Sequence, residues 1–181
     1  MSTDGARLKL QAALSPCALH AEVLRAALAD LPLRFVEADV PALDAGLRRI
    51  LDQVALRFMK LQDRLGENVL PGLLARSLDP LPEETPFVQK LHRLERLGAV
   101  PSVERWKSLR EVRHGLAHAY PDHPALQAAA WNRLRAAADD VLAPWQAGRL
   151  RGTALPCWAD SDRGAQPVMC GPGFVRDNSR P

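Results

Sequence analysis

Aromatic residues are scarce in this sequence: one Tyr, four Phe and four Trp make up 5% of 181 residues. Ala, Leu and Arg dominate instead, a composition that favours helix over sheet. No stretch of about 18 uncharged apolar residues occurs, so a membrane-spanning helix is not indicated. The N-terminus has no basic region followed by an apolar core and a cleavage site. We therefore expect a cytoplasmic protein with no membrane association.

Cysteine is also rare, and the three present, Cys17, Cys157 and Cys170, form no CxxC pair. An odd number of scattered cysteines predicts free thiols in a reducing compartment, not a disulfide framework. The formal net charge of +3 allows an acidic partner such as RNA without requiring one. No strand alternation and no Gly-rich phosphate loop appears, so the pattern does not indicate an α/β nucleotide-binding fold.

Apolar residues recur at helical spacing along the middle of the chain. Gly66 and Gly98 are suited to end two of these helices, and Ser102 and Asp122 are suited to cap two others. Pro144 should kink or end the last helix. The pattern predicts four strong helices, at about 41–65, 86–97, 102–120 and 122–145.

The four segments and their short connections predict an all-α fold, an antiparallel up-and-down four-helix bundle spanning residues 39–150. Residues 1–38 are expected to form an N-terminal accessory helical segment, in which Pro16 interrupts the apolar pattern. Residues 151–181 are rich in Gly, Pro, Asp and Arg and lack periodicity, so we expect an irregular or disordered tail. Arg57, Lys60 and Arg64 follow one face of the first bundle helix, either as a solvated surface or as part of an RNA-binding groove.

The candidate functional groups are Arg113, His118 and Tyr120, which precede Pro121. Because Pro121 disfavours the α conformation at the residue before it, the three lie in the last turns of a predicted helix. At roughly 100° per residue, Tyr120 lies about 20° from Arg113 around the axis and His118 about 140°. Arg113 and His118 therefore meet at one substrate only if the last turn unwinds or a second copy of the helix packs across a two-fold axis. We expect both.

The run RHGLAHAYP, residues 113–121, resembles the signature of the HEPN superfamily, and the Tyr two residues after the His is similar to the HepT toxins of bacterial HepT/MNT toxin–antitoxin pairs. The resemblance implies a homodimeric, metal-independent endoribonuclease that needs no cofactor. His118 would take the proton of a ribose 2′-hydroxyl, and Arg113 would hold the phosphate, so that cleavage leaves a 2′,3′-cyclic phosphate. His114 is expected to support the site by orienting the phosphate or His118.

The same resemblance implies two partners, RNA, with tRNA as one candidate, and a cognate MNT-type nucleotidyltransferase antitoxin. That enzyme would place AMP on Tyr120 and silence the toxin. The alternative is a non-catalytic HEPN binding or docking subunit for a minimal nucleotidyltransferase. Arg113 adjoins the apolar stripe of its helix, and a semi-buried guanidinium is costly without an anionic partner.

A metal site competes for some of the same side chains. His114 and His118 lie four residues apart, about 40° around a helix, and Asp122 repeats the interval. Pro121 breaks the helix before this third ligand, and no other Cys or His is placed to complete the set. We therefore expect no metal.

Overall fold

The computed structural model describes residues 3–75, 77, 81–82, 84–116 and 123–146, and within these ranges the chain is helical without strands. The all-α prediction is confirmed for this part. None of the described helices is both long and apolar enough to cross a membrane. The predicted tail, 151–181, lies outside the described residues. The elements are α1 (Thr3–Ala29), α2 (Asp39–Ala42), α3 (Ala45–Arg64), a π-helical turn (Leu65–Val69), α4 (Leu70–Ala75), α5 (Phe87–Arg96), α6 (Val103–Gly115) and α7 (Pro124–Gln146).

Four long helices pack around one hydrophobic core. Helix α1 contacts α3, α3 contacts α6, α6 contacts α7, and α7 contacts α1, while α5 packs on α4 and α6. The four helices that enclose the core differ from the four strong helices predicted from the sequence, because α1 takes the place of α5. The reason is apolar area: α5 buries only Leu91 and Leu94, whereas α1 buries a longer stripe that includes Leu10, Cys17 and Leu24.

The N-terminal helix is continuous across Pro16, contrary to the prediction that this proline interrupts it. Packing against α3 outweighs the backbone hydrogen bond that proline cannot donate. Two side chains of α7 also secure the segment that follows α1. Asn132 accepts from the Phe35 backbone N–H at 2.9 Å and donates to its carbonyl at 2.8 Å. Arg135 Nη1 lies 3.1 Å from the Leu28 carbonyl, near the end of α1.

Helix α3 begins and ends differently from the prediction. It starts at Ala45, not 41, because the Asp44 side chain accepts from the Leu47 backbone N–H at 2.7 Å and caps the helix. Gly66 does not end it. The chain continues through the π-helical turn into α4, and a Cβ placed on Gly66 would lie 3.3 Å from Trp106 Cζ2. Glycine here permits close packing of the turn against α6.

The connection from α5 to α6 positions the motif-bearing helix. Gly98, at φ +70°, ends α5 as predicted, and Ala99 N–H donates to the Leu94 carbonyl at 2.9 Å in a Schellman arrangement. Ser102 caps α6, also as predicted, by accepting from the Arg105 backbone N–H at 3.0 Å. Asp122, the predicted cap of α7, lies outside the described residues.

Candidate functional site

Arg113 lies in the last turn of α6 and is held by Asp63, which comes from the end of α3. Its Nη2 donates to Asp63 Oδ2 at 3.1 Å. Its Nε lies 2.8 Å from Oδ1, but the N–H is not directed at that oxygen and makes no hydrogen bond. The anionic partner expected for this semi-buried arginine is therefore present within the same chain.

Of the other three predicted site residues, the structure describes only His114. It lies in the last turn of α6 and its side chain is exposed. His118 and Tyr120 lie outside the described residues. The described helix ends at Gly115. The angles calculated for one regular helix from Arg113 to Tyr120 therefore do not apply beyond Gly115.

A cleft of about 310 Å³ opens beside the Asp63–Arg113 pair, between the end of α3, the π-helical turn, α5 and α6. Arg110 lies over the ring of Phe87, with its guanidinium carbon 5.6 Å from the ring centroid. The lining combines flat apolar surfaces with charges of both signs. Its residues are Gln62, Asp63, Gly66, Glu67, Phe87, Trp106, Arg110 and Arg113.

Two lining side chains are buried and polar. Gln62 is only 4% exposed, and its amide makes no hydrogen bond to any described residue. Trp106 is also 4% exposed, and its enclosed Nε1–H has no acceptor among the described residues. Buried polar groups of native proteins are nearly always hydrogen-bonded, so this unpaired N–H is unusual.

A cationic cluster occupies the neighbouring face of α3, towards α1. Arg57 Nη1 lies 3.2 Å from His20 Nδ1. Since a guanidinium only donates, this contact requires Nδ1 to accept and the imidazole to be neutral. Burial, followed by the charges of Arg57, Arg64 and Lys60, lowers the pKa of His20. Within the described chain no carboxylate makes an ion pair with these three cations, so the face stays positive.

Burial also governs Cys17, which is fully enclosed under α3. Desolvation raises the pKa of its thiol to about 11, against an opposing effect of Arg64. A thiol in that environment is protonated at neutral pH and is a packing residue, not a nucleophile. Cys157 and Cys170 lie outside the described residues.

No group of three or more His, Cys, Asp or Glu side chains arranged to hold a metal ion occurs in the ranges that the structure describes. Two of the three ligands considered from the sequence, His118 and Asp122, lie outside those ranges. The third, His114, points into solvent at the end of α6.

Sequence patterns did not identify the residues that complete the cleft. Asp63 is the one acidic residue in the basic stretch 57–64, which carries Lys60 and Arg64. A single carboxylate among these cations is the sequence signal for an arginine partner. Gln62 lies four residues after Phe58 and three before Leu65, a buried position of the apolar stripe. A polar side chain there is the signal that marks the cleft.

Comparisons with known proteins give no match: no family model, no curated protein and no solved structure resembles the chain significantly. The functional argument therefore depends on the side chains of this site and on the motif at residues 113–121.

Proposed function

We propose that this protein is a metal-independent endoribonuclease of the HEPN type, the toxin of a toxin–antitoxin pair. The supporting observation is the placement of Arg113. It lies at the end of α6 beside a cleft, its guanidinium is fixed by Asp63, and His118 and Tyr120 follow within seven residues.

The ion pair leaves Arg113 able to bind phosphate. A guanidinium has five N–H donors, and the contact with Asp63 uses one of them in a hydrogen bond. The Nε–H is enclosed beside Asp63. The other three N–H donors, on the two Nη atoms, suit the oxygens of a phosphodiester, on which charge increases during cleavage. Asp63 reduces the net charge at the site but fixes the orientation of the Arg113 guanidinium.

His118 is the proposed base. Its neutral imidazole takes the proton of a ribose 2′-hydroxyl, the 2′-oxygen attacks phosphorus, and the bond to the 5′-oxygen breaks. The departing oxygen takes up a proton, leaving a 5′-hydroxyl and a 2′,3′-cyclic phosphate. His114 supports the phosphate or His118. Two copies of the chain form the active dimer, and the cognate nucleotidyltransferase silences it by placing AMP on Tyr120.

One observation favours a second candidate function. Asp63 already neutralises much of the Arg113 charge within one chain, which suits a docking subunit that binds a nucleotidyltransferase without cutting RNA. The two proposals share the partner but differ in cleavage.

The discriminating experiment incubates end-labelled RNA with purified wild-type protein in EDTA, beside a His118→Ala variant purified identically. We expect the wild type to leave 2′,3′-cyclic ends and the variant to be slower by about 10²-fold or more. Equal cleavage by both would contradict the role of His118. Absence of cleavage by wild-type protein whose Tyr120 is unmodified by mass spectrometry would favour the docking subunit.

A further inference from the structure

The cleft beside Arg113 contains hydrogen-bonding groups that the protein itself leaves unused. The Gln62 side chain is only 4% exposed and its amide makes no hydrogen bond to a described residue, while the Nε1–H of Trp106 is enclosed and has no acceptor among those residues. The indole edge that carries Nε1 also carries Cζ2, the atom packed closest to Gly66. Gly66 itself lines the cleft, but Nε1 is enclosed, so the Gln62 amide is the group of the two that a ligand in the cleft meets.

The unused groups match the edge of a nucleobase. A glutamine amide presents one donor beside one acceptor, the pair with which glutamine reads base edges bidentately. Glu67, exposed at the rim, adds an acceptor. A volume of about 310 Å³ is at the lower end of the range for small-molecule sites.

The remaining walls suit the other parts of a nucleotide. Arg110 lies over the Phe87 ring, and the guanidinium plane of that pair offers a flat surface on which a base can stack. Arg110 and Arg113, three residues apart on α6, both line the cleft and supply cations for a phosphate attached to that base. Apolar ligands would leave the Gln62 amide without a hydrogen-bond partner, and inorganic phosphate presents no base edge to it.

We propose that this cleft binds the base of a nucleotide whose phosphate contacts Arg113, with the Gln62 amide reading the base edge. The assignment of that nucleotide to an RNA chain rests on the proposed function, in which it adjoins the cleaved bond. The same chemistry would recognise a free nucleoside monophosphate, and the experiment separates the two sources.

The test compares the four nucleoside 5′-monophosphates with ribose 5-phosphate by isothermal titration calorimetry. Wild-type protein is expected to bind at least one monophosphate about tenfold or more tightly than ribose 5-phosphate. The Gln62→Met variant keeps the volume and removes the amide, so this preference should disappear. Its midpoint of thermal unfolding should stay equal or rise, because the substitution breaks no hydrogen bond to a described residue and keeps the volume of a side chain that is 4% exposed. Gln53→Met, on the exposed face of α3, is the matched control and should behave as wild type.

Equal or absent binding of the monophosphates and ribose 5-phosphate by wild type would overturn the proposal, as would an unchanged preference in Gln62→Met. A short RNA that competes with the bound monophosphate assigns the cleft to RNA, whereas failure to compete assigns it to a free nucleotide. If the protein binds a monophosphate through Gln62 but does not cleave RNA, the proposed endoribonuclease activity would be contradicted, but the proposed base-binding role of the cleft would not. If wild type and Gln62→Met cleave RNA identically and neither binds a monophosphate, only the proposal that the cleft binds a nucleotide base would be contradicted.

Discussion

Asp63 and Arg113 form an ion pair in which the side chains are 30% and 37% exposed. Water and salt screen charges at that exposure, so we expect the pair to contribute no more than about 1 kcal/mol to the free energy of unfolding. Asp63 is therefore better explained as a positioning residue for the guanidinium than as a source of stability. Its contact joins the end of α3 to the end of α6 at the cleft.

Replacing Asp63 separates these two roles. Asp63→Ala should lower the free energy of unfolding by less than about 1 kcal/mol in a urea titration. The single-turnover rate of RNA cleavage should fall about tenfold or more, because Arg113 loses its fixed orientation. Asp52→Ala, an exposed carboxylate on the same helix, is the control for loss of charge. A wild-type cleavage rate in Asp63→Ala would show that the ion pair does not position Arg113.

Among the elements, the π-helical turn Leu65–Val69 continues α3 and brings Gly66 close to Trp106 of α6. Such turns are often found at functional sites, and this one provides Gly66 and Glu67 to the cleft. The buried ring of Trp106 leaves little room opposite Gly66. A side chain at Gly66 would therefore move the indole that forms one wall of the cleft.

Gly66→Ala should lower the free energy of unfolding by about 1 kcal/mol, since the cost of overpacking exceeds the gain in helix propensity. Gly115→Ala is the matched control. A Cβ at Gly115 meets nothing within 4 Å, so that variant should be unchanged or more stable by up to about 1 kcal/mol. Thermal and urea unfolding of both variants measure the difference. An equally stabilised Gly66→Ala would mean that Trp106 shifts without cost.

Sequence patterns predicted the elements best where local chemistry determines them. Gly98 ends α5 and Ser102 caps α6 because a positive φ and an orphan N–H are local requirements. Pro16 does not interrupt α1 and Gly66 does not end the helix, because packing against α3 and α6 overrides their local preferences. A single sequence carries no direct information about those tertiary contacts.

In the candidate site, too, the sequence predicts what local chemistry determines and misses what tertiary packing determines. Arg113 was identified from its place in a motif, and its need for an anion from its place beside the apolar stripe. The identity of that anion was not predictable, because Asp63 lies 50 residues away in the chain. Gln62 and Trp106 meet at the cleft only after α3 and α6 have packed together.

At the scale of the whole molecule, the described bundle places two sets of cations on either side of α3. Arg57, Lys60 and Arg64 face α1, while Arg110 and Arg113 border the cleft at α6. Under the proposed function, an RNA strand bound at the cleft would have further positive surface on the same protein to contact. In the proposed dimer, each copy contributes one such surface.

The most direct test of this account is the rate at which Arg113→Ala cleaves labelled RNA in EDTA. Arg105→Ala is the matched control, because Arg105 is an exposed arginine of the same helix that pairs with Asp140, away from the cleft. We predict that wild type and Arg105→Ala cleave at similar rates and that Arg113→Ala is slower by about 10²-fold or more. Arg113→Ala cleaving as fast as Arg105→Ala would contradict the placement of the phosphate at the end of α6.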